Sequence, residues 1–252
     1  MNSLIVLLII FFVIGNNAAY ATTDSLAVSV GVMSWYNRYV PISRLVGMDV
    51  PHGSEGFMNG PTIKAQYKDL YIGVMYLLSS NNYELVRTTI PYGKYETNVT
   101  SSATRTDIDV VIGYLLTPQL DVNAGYKGIF VSDAIAFTSS RGTFRPKHEE
   151  AYNLGTLGAG LHIPISTKAT FLLNGNALLG TFDNTISTSG RIELISEDFR
   201  HSTAWGVSAD TSVAYRMIEN ISGHIGLRWF FSKAGSDHSN LFGPTVGLDY
   251  LF

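Results

Sequence analysis

The chain has 252 residues, a length that suits one domain without a second module. Its net charge of −3 is too small to indicate nucleic acid or another strongly charged partner, and the absence of cysteine excludes disulfides, thiol catalysis and zinc–cysteine sites. Hydrophobic residues make up 46% and charged residues only 15%, with 14 Tyr, 13 Phe and 24 Gly. This mixture favours a β-rich protein with many tight turns, and we expect no cofactor.

The N-terminus carries the pattern of a cleaved export signal. An unbroken apolar run from Leu4 to Ile14 is followed by the small-residue site Ala19-Tyr20-Ala21. We predict cleavage after Ala21, which makes residues 1–21 a signal peptide and residues 22–252 the mature domain. The alternative is a membrane anchor, although a spanning helix needs about 20 apolar residues and this run is shorter.

After residue 21, apolar residues recur mostly at every second position, which is the period of a β-strand with two unlike faces. The pattern predicts about ten strands, with eight or twelve as alternatives. In chain order they are 25–36, 62–67, 70–78, 107–114, 120–130, 152–164, 168–181, 205–216, 221–231 and 241–252. The apolar parity switches near Thr156, where we expect a bulge, and Leu241 and Leu251 break the alternation of the last strand.

Connections between these strands are alternately short and long. The short links are Lys68-Asp69, Thr117-Pro118, Ser166-Thr167 and Met217 to Glu219. The long stretches are 37–56, 79–103, 133–150, 182–202 and 233–239. This alternation is typical of barrels with short periplasmic turns and long extracellular loops, and an even strand count places both termini on the periplasmic side. Segment 79–103 itself alternates, so we expect a hairpin above the membrane that offers an adhesive or receptor surface.

Aromatic residues on the predicted outward faces fall into two bands, which separate a membrane barrel from a soluble sandwich or a lipocalin-like barrel. A band near the short turns contains Tyr67, Tyr114, Phe171, Tyr215, Tyr250 and Phe252. A band near the long loops contains Tyr36, Tyr76, Phe130, Trp205, Trp229, Phe231 and Phe242. Two interfacial girdles around an aliphatic zone are what a membrane requires and a soluble core does not. We therefore predict a closed, up-and-down, antiparallel transmembrane β-barrel.

The last strand resembles the C-terminal signature of bacterial outer-membrane β-barrel proteins. It ends in Phe252, preceded at alternate positions by Tyr250, Leu248 and Val246. The resemblance implies an outer membrane of Gram-negative type, and it implies that these four residues form an insertion signal read by the barrel-assembly machinery. We expect a monomer in contact with outer-membrane lipids and lipopolysaccharide.

The predicted inward faces carry a polar network. Its members are Lys64, Asp107, Asp109, Asp121, Lys127, Asp210, Arg216, His224, Arg228 and Asp249, with His162 beside them. An unpaired charge away from water costs several kcal/mol, so we expect these charges to pair. Eight strands are just filled by side chains and sixteen leave a channel, so ten strands permit either a packed network or a narrow pore. We favour a structural network and a role carried by the loops. A narrow channel or binding barrel for small solutes is the alternative.

Three polar segments near the long-loop end are weaker candidates for chemistry. Residues 236–240 faintly resemble the His and Ser pair of lipid A deacylases, but His238 and Ser239 are adjacent and would point to opposite faces of a strand. Asp198, His201 and Ser202 form a second group without the spacing of the omptin proteases, which pair an Asp with a His. We expect no catalysis, although a rim-sited lipid-modifying enzyme or protease remains an alternative.

The third segment is a charged loop. His148-Glu149-Glu150, with Arg141, Arg145 and Lys147, is a candidate contact for lipopolysaccharide. Two similar segments, Asn59 to Ile63 and Phe242 to Val246, each hold a Gly-Pro pair, for which we expect a shared bulge at the rim.

Overall fold

The computed structural model of the chain describes residues 26–39, 44–45, 48–49, 54–79, 83–92, 95–139, 142–189, 198–235 and 237–252. The predicted signal peptide lies outside these residues. The strands are β1 (Leu26–Tyr39), β2 (Arg44–Leu45), β3 (Met48–Asp49), β4 (Ser54–Tyr67), β5 (Leu70–Ser79), β6 (Tyr83–Tyr92), β7 (Tyr95–Thr117), β8 (Leu120–Ser139), β9 (Gly142–Pro164), β10 (Ala169–Ser189), β11 (Asp198–Ile218), β12 (Ile221–Ala234) and β13 (Asp237–Leu251). No helix in the described part of the chain is long and apolar enough to span a membrane.

Ten of these strands form a closed ring. The order β5-β4-β1-β13-β12-β11-β10-β9-β8-β7 is antiparallel throughout, and pairing of β5 with β7 completes the circle. β6 stands outside the ring and pairs with the first part of β7 from Tyr92↔Tyr95 to Tyr83↔Ala103. The predicted strand count and the predicted hairpin in segment 79–103 are therefore confirmed.

The barrel wall is much higher on one side than on the other. β7 to β11 have 20 to 23 residues each, whereas β1, β4, β12 and β13 have 14 or 15. A tilted strand crosses a bilayer in about 9–11 residues, so the long strands continue well past it. β8 and β9 stay paired up to Ser139↔Gly142, and β10 and β11 up to Ile186↔Asp198. Segments 133–150 and 182–202 are therefore mostly strand.

The outer surface is apolar, as a membrane barrel requires. Residues such as Ile63, Val74, Leu157, Leu179 and Ile225 are exposed on it. The aromatics of both predicted bands alternate with inward residues and lie on this face, and two pairs touch at the long-loop end, Tyr36 with Phe57 and Trp205 with Phe231. A soluble β-protein would bury these side chains, so that alternative is excluded.

The bulge predicted near Thr156 is wrong. β9 pairs with β8 and with β10 in unbroken register across this residue. The parity appears to switch because Tyr152 and Leu154 are apolar residues that point into the barrel, where both are buried. Leu241 breaks the alternation of the last strand for the same reason.

The two Gly-Pro segments share a different feature from the predicted bulge. Pairing of β4 with β5 stops between Asn59↔Leu78 and Thr62↔Met75, and pairing of β13 with β1 stops between Trp35↔Thr245 and Arg38↔Phe242. Both strands skip the same number of residues, so the register does not change. A Cβ on Gly60 or Gly243 would lie within 2 Å of a carbonyl oxygen on the neighbouring strand. Each segment is thus a close backbone crossing that excludes any side chain.

Candidate functional site

The barrel lumen gathers the whole predicted polar network. All ten predicted residues and His162 alternate with lipid-facing residues and lie on the inner side of the wall. The lumen has a floor near the short turns, a middle layer and a lid at the top, and the lid contains Asp107 together with apolar residues that were not predicted.

Asp121 is the centre of the floor. Its carboxylate accepts a hydrogen bond from the Tyr71 hydroxyl at 2.8 Å, lies 2.9 Å from His162 Nε2, and accepts a longer bond from the Asn123 amide at 3.3 Å. Across the floor, the Ser222 hydroxyl donates to Asp249 at 3.4 Å. Both carboxylates are almost fully buried, and these hydrogen bonds replace only part of the water they lose, because Asp121 Oδ2 and Asp249 Oδ1 accept none in the described chain.

The middle layer is an ion-pair chain. Arg228 binds Asp210 at 2.5 Å and lies 3.5 Å from Asp109, which also binds Lys127. An internal cavity of about 290 Å³ adjoins this chain; we call it the chamber. Asp109, Lys127, Asp210 and Arg228 therefore form ion pairs with one another, through partners that no local spacing in the sequence identifies.

The lid contains a buried ion pair set among apolar side chains. Arg105 donates two hydrogen bonds to Asp107, from Nε to Oδ1 at 2.6 Å and from Nη2 to Oδ2 at 2.7 Å. The guanidinium carbons of Arg105 and Arg228 lie 5.4 and 5.5 Å from the centre of the Trp35 ring, within cation–π range. Arg105 was not among the predicted lumen residues. The signal that could have identified it is its spacing, because it lies two residues before Asp107 and therefore points to the same inner face as Asp107 and Asp109.

Apolar residues fill the rest of the lid. Trp35, Met58, Leu77, Leu154, Phe230 and Leu241 are each 0–1% exposed. A residue that lines an open channel must be reachable by water, and these inner-wall residues are not. The described part of the lumen is therefore closed at the long-loop end. The predicted polar network did not include this apolar lid.

The side chains of His238 and Ser239, the pair with the faint deacylase resemblance, point to opposite faces of β13. Ser239 is buried on the inner face of β13, whereas His238 is exposed on the outer face. The expectation that these two side chains diverge is therefore confirmed, while Ser236 lies outside the described residues.

The second group is also dispersed. His201 Nδ1 lies 2.6 Å from Asp183 Oδ1, and both residues are on the outer side of the wall, where His201 is 59% exposed. Ser202 lies on the opposite, inner face, and the side chain of Asp198 lies outside the described residues. His201 thus pairs with a residue from another strand.

The charged loop divides between the two faces. His148 and Glu150 point inward, and His148 Nε2 lies 3.0 Å from Asn184 Oδ1 and 3.6 Å from Glu150. Lys147 points outward and binds Glu149 at 2.5 Å. Arg141 and the side chain of Arg145 lie outside the described residues. The segment therefore does not present one basic surface, and no group of three potential metal ligands converges in the described chain.

Comparisons with known proteins support the fold. No protein-family model and no curated protein sequence matches the chain. Among solved structures, the outer membrane protease OmpT from Escherichia coli is 13% identical with a TM-score of 0.52, covering 90% of this chain and 96% of that one. Neisserial surface protein A is 11% identical with a TM-score of 0.39, over 89% of this chain and 96% of that one.

The likeness to OmpT shows the fold alone, because sequence identity is low and one fold carries many functions. The apolar band on the outer surface and its aromatic girdles independently indicate that the barrel lies in a membrane. The chain is thus an integral membrane β-barrel with the fold of a bacterial outer-membrane protein.

Proposed function

We propose that this protein is a closed, non-catalytic barrel that acts through the raised wall formed by β7 to β11. The observation that carries the proposal is the lid: Trp35, Leu154 and Phe230 fill the lumen near the level at which β1 and β12 end. A closed lumen does not conduct, and strands of up to 23 residues hold a rigid polar surface above the bilayer.

The raised wall has the composition of an interaction surface. Exposed polar side chains lie on its strands, such as Thr104 on β7, Lys147 and Glu149 on β9, and Arg200 and His201 on β11. Because they continue the barrel ladders, these side chains are held on a preformed sheet, which lowers the conformational entropy lost on binding. We expect a protein or glycan surface outside the cell as the partner.

We also propose that the barrel is a monomer in direct contact with lipid. A complete ring has no unpaired strand edge, which supports a monomer. The exposed aliphatic band supports contact with outer-membrane lipids, including lipopolysaccharide in the outer leaflet.

Conductance in a planar bilayer tests the proposal directly. The purified protein should give no ion conductance above the bilayer background. Stable conductance steps would overturn the closed-barrel role and favour the narrow channel.

Exposure of the wall is tested in whole cells. The chain has no cysteine, so Thr138→Cys on the extension of β8 provides a single labelling site. A membrane-impermeant maleimide should label this variant in intact cells. Thr117→Cys at a short turn is the control and should be labelled only after the outer membrane is opened. Equal labelling of both variants in intact cells would contradict the orientation.

A further inference from the structure

We propose that the chamber is a binding site for a small, uncharged, polyhydroxylated solute of monosaccharide size, which enters from the periplasmic end of the barrel. This goes beyond the role of the raised wall, which does not use the lumen.

The size of the chamber limits what it can hold. At about 30 Å³ per water molecule, a cavity of about 290 Å³ accommodates roughly ten waters or one small solute. Ligand pockets start at about 300 Å³, so the chamber lies at the lower end of that range. Its lining side chains, such as Asn174 and Asp210, are half-buried, whereas the lid and floor residues above and below are buried.

One side of the chamber is charged but balanced. Its lining includes three cations, Lys64, Lys127 and Arg228, and three carboxylates, Asp109, Asp121 and Asp210. Lys127 and Arg228 bind Asp109 and Asp210, and Lys64 lies over the Tyr71 ring. A charged solute would have to break one of these pairs, so the balance favours a neutral ligand.

Beside these charges, the lining contains amides and hydroxyls. They belong to Asn123, Thr156, Asn174, Asn176, Ser208 and Ser212, from β8 to β11. Such groups both donate and accept hydrogen bonds, as a polyol does. In addition, the buried hydroxyl of Thr62 reaches the chamber without a hydrogen-bond partner in the described chain. Buried polar groups are rarely left unsatisfied, and a bound hydroxyl or water would supply the missing bond.

The two ends of the chamber differ in chemistry, which sets the route of entry. The lid end is closed by Trp35, Leu154 and Phe230, whose hydration is unfavourable. The floor is closed by hydrogen bonds, from Tyr71 to Asp121 and from Ser222 to Asp249. Water can replace these bonds at little net cost, so the floor is the end that opens.

Cysteine accessibility tests both parts of the proposal. Asn174→Cys places a thiol in the chamber, and Leu154→Cys places one in the lid as the matched control. Methyl methanethiosulfonate should modify the folded Asn174→Cys barrel at least tenfold faster than the folded Leu154→Cys barrel, with equal rates after unfolding. A Tyr71→Phe change removes the hydroxyl that closes the floor and should raise the Asn174→Cys rate several-fold.

The solute class is tested by protection. Glucose at 0.5 M should slow modification of Asn174→Cys several-fold, while potassium glutamate of equal osmolality should leave the rate within twofold. An unreactive thiol at Asn174, or equal protection by glucose and glutamate, would overturn the proposal. These outcomes do not depend on conductance or wall exposure, so they are distinguishable from failure of the proposed function.

Discussion

Arg105 and Asp107 form a two-bond ion pair between alternate residues of the same strand, with side chains 2% and 0% exposed. The pair lies in the apolar lid, where the Arg105 guanidinium also faces the Trp35 ring. Removing either partner takes both hydrogen bonds from a buried charged group, so this contact links the closure of the lumen to the stability of the barrel.

Arg105→Met should destabilise the barrel by about 3–5 kcal/mol, because the buried Asp107 side chain would lose both of the hydrogen bonds that it accepts from Arg105. The measurement is denaturant unfolding of the detergent-solubilised protein, followed by β-sheet circular dichroism. Lys147→Met is the matched control, since the Lys147–Glu149 pair is half exposed and such pairs contribute about 0–1 kcal/mol. Similar losses in both variants would contradict the structural role of the Arg105 pair.

Gly243→Ala should prevent or strongly impair barrel closure. The new Cβ would lie 1.7 Å from the Tyr36 carbonyl oxygen, and both strands would have to move apart at the junction of β1 and β13. Overpacking typically lowers the stability of a protein by about 1–3 kcal/mol. We expect a loss at or above that range, because the neighbouring atom belongs to the backbone and cannot rotate away as a side chain can. The measurement is the yield of barrel that shifts in mobility on a denaturing gel when boiled.

Gly175→Ala is the control for that experiment. Gly175 also lies on a barrel strand, but a Cβ there meets nothing within 4 Å. It should assemble with normal yield. Normal assembly of Gly243→Ala as well would show that the strand junction tolerates a side chain.

Phe252→Ala should slow insertion into the outer membrane, but the variant should still be able to fold into the barrel. The side chain is 74% exposed on the lipid face and contacts Tyr250, with ring centres 4.8 Å apart, whereas the backbone amide of Phe252 donates to the Val28 carbonyl. The substitution keeps this backbone bond and removes only the aromatic ring proposed as the insertion signal. Phe57→Ala changes an exposed aromatic at the other girdle and should insert normally. Equal insertion rates would count against the C-terminal signal.

Replacing both large rings of the lid should open the lumen. Trp35→Ala with Phe230→Ala removes two almost fully buried side chains at one level of the barrel. We expect ion conductance steps in planar bilayers where the unmodified protein shows none. A double variant that assembles but stays silent would indicate that other lid residues are sufficient to close the pore.

The wall of the barrel was readable from the sequence because its pattern is local. Side chains along each strand point alternately to lipid and to the lumen. The outward position of residues such as Trp205, Tyr215 and Phe242 can therefore be predicted from this alternation alone. The short turns and the hairpin in segment 79–103 follow from the same reading.

The alternation misled where an inward position was apolar. The parity switch near Thr156 and the break at Leu241 arise from buried apolar residues of the lid, Tyr152, Leu154 and Leu241, which lie in regular strands. The two-residue alternation predicts which face of the wall a side chain occupies. It does not predict whether the lumen at that level is hydrated or filled by apolar side chains.

The sequence by itself determined the ten strands, the two faces of the wall and the polar residues of the lumen, because membrane and backbone impose these on each strand separately. Only the tertiary structure decided the lid, the partners of the ion pairs and the chamber. Arg228 meets Asp109 across 119 residues of chain, and His201 meets Asp183 from a neighbouring strand. Such contacts depend on ring closure and strand stagger, which join distant segments at one height and leave no trace in local spacing.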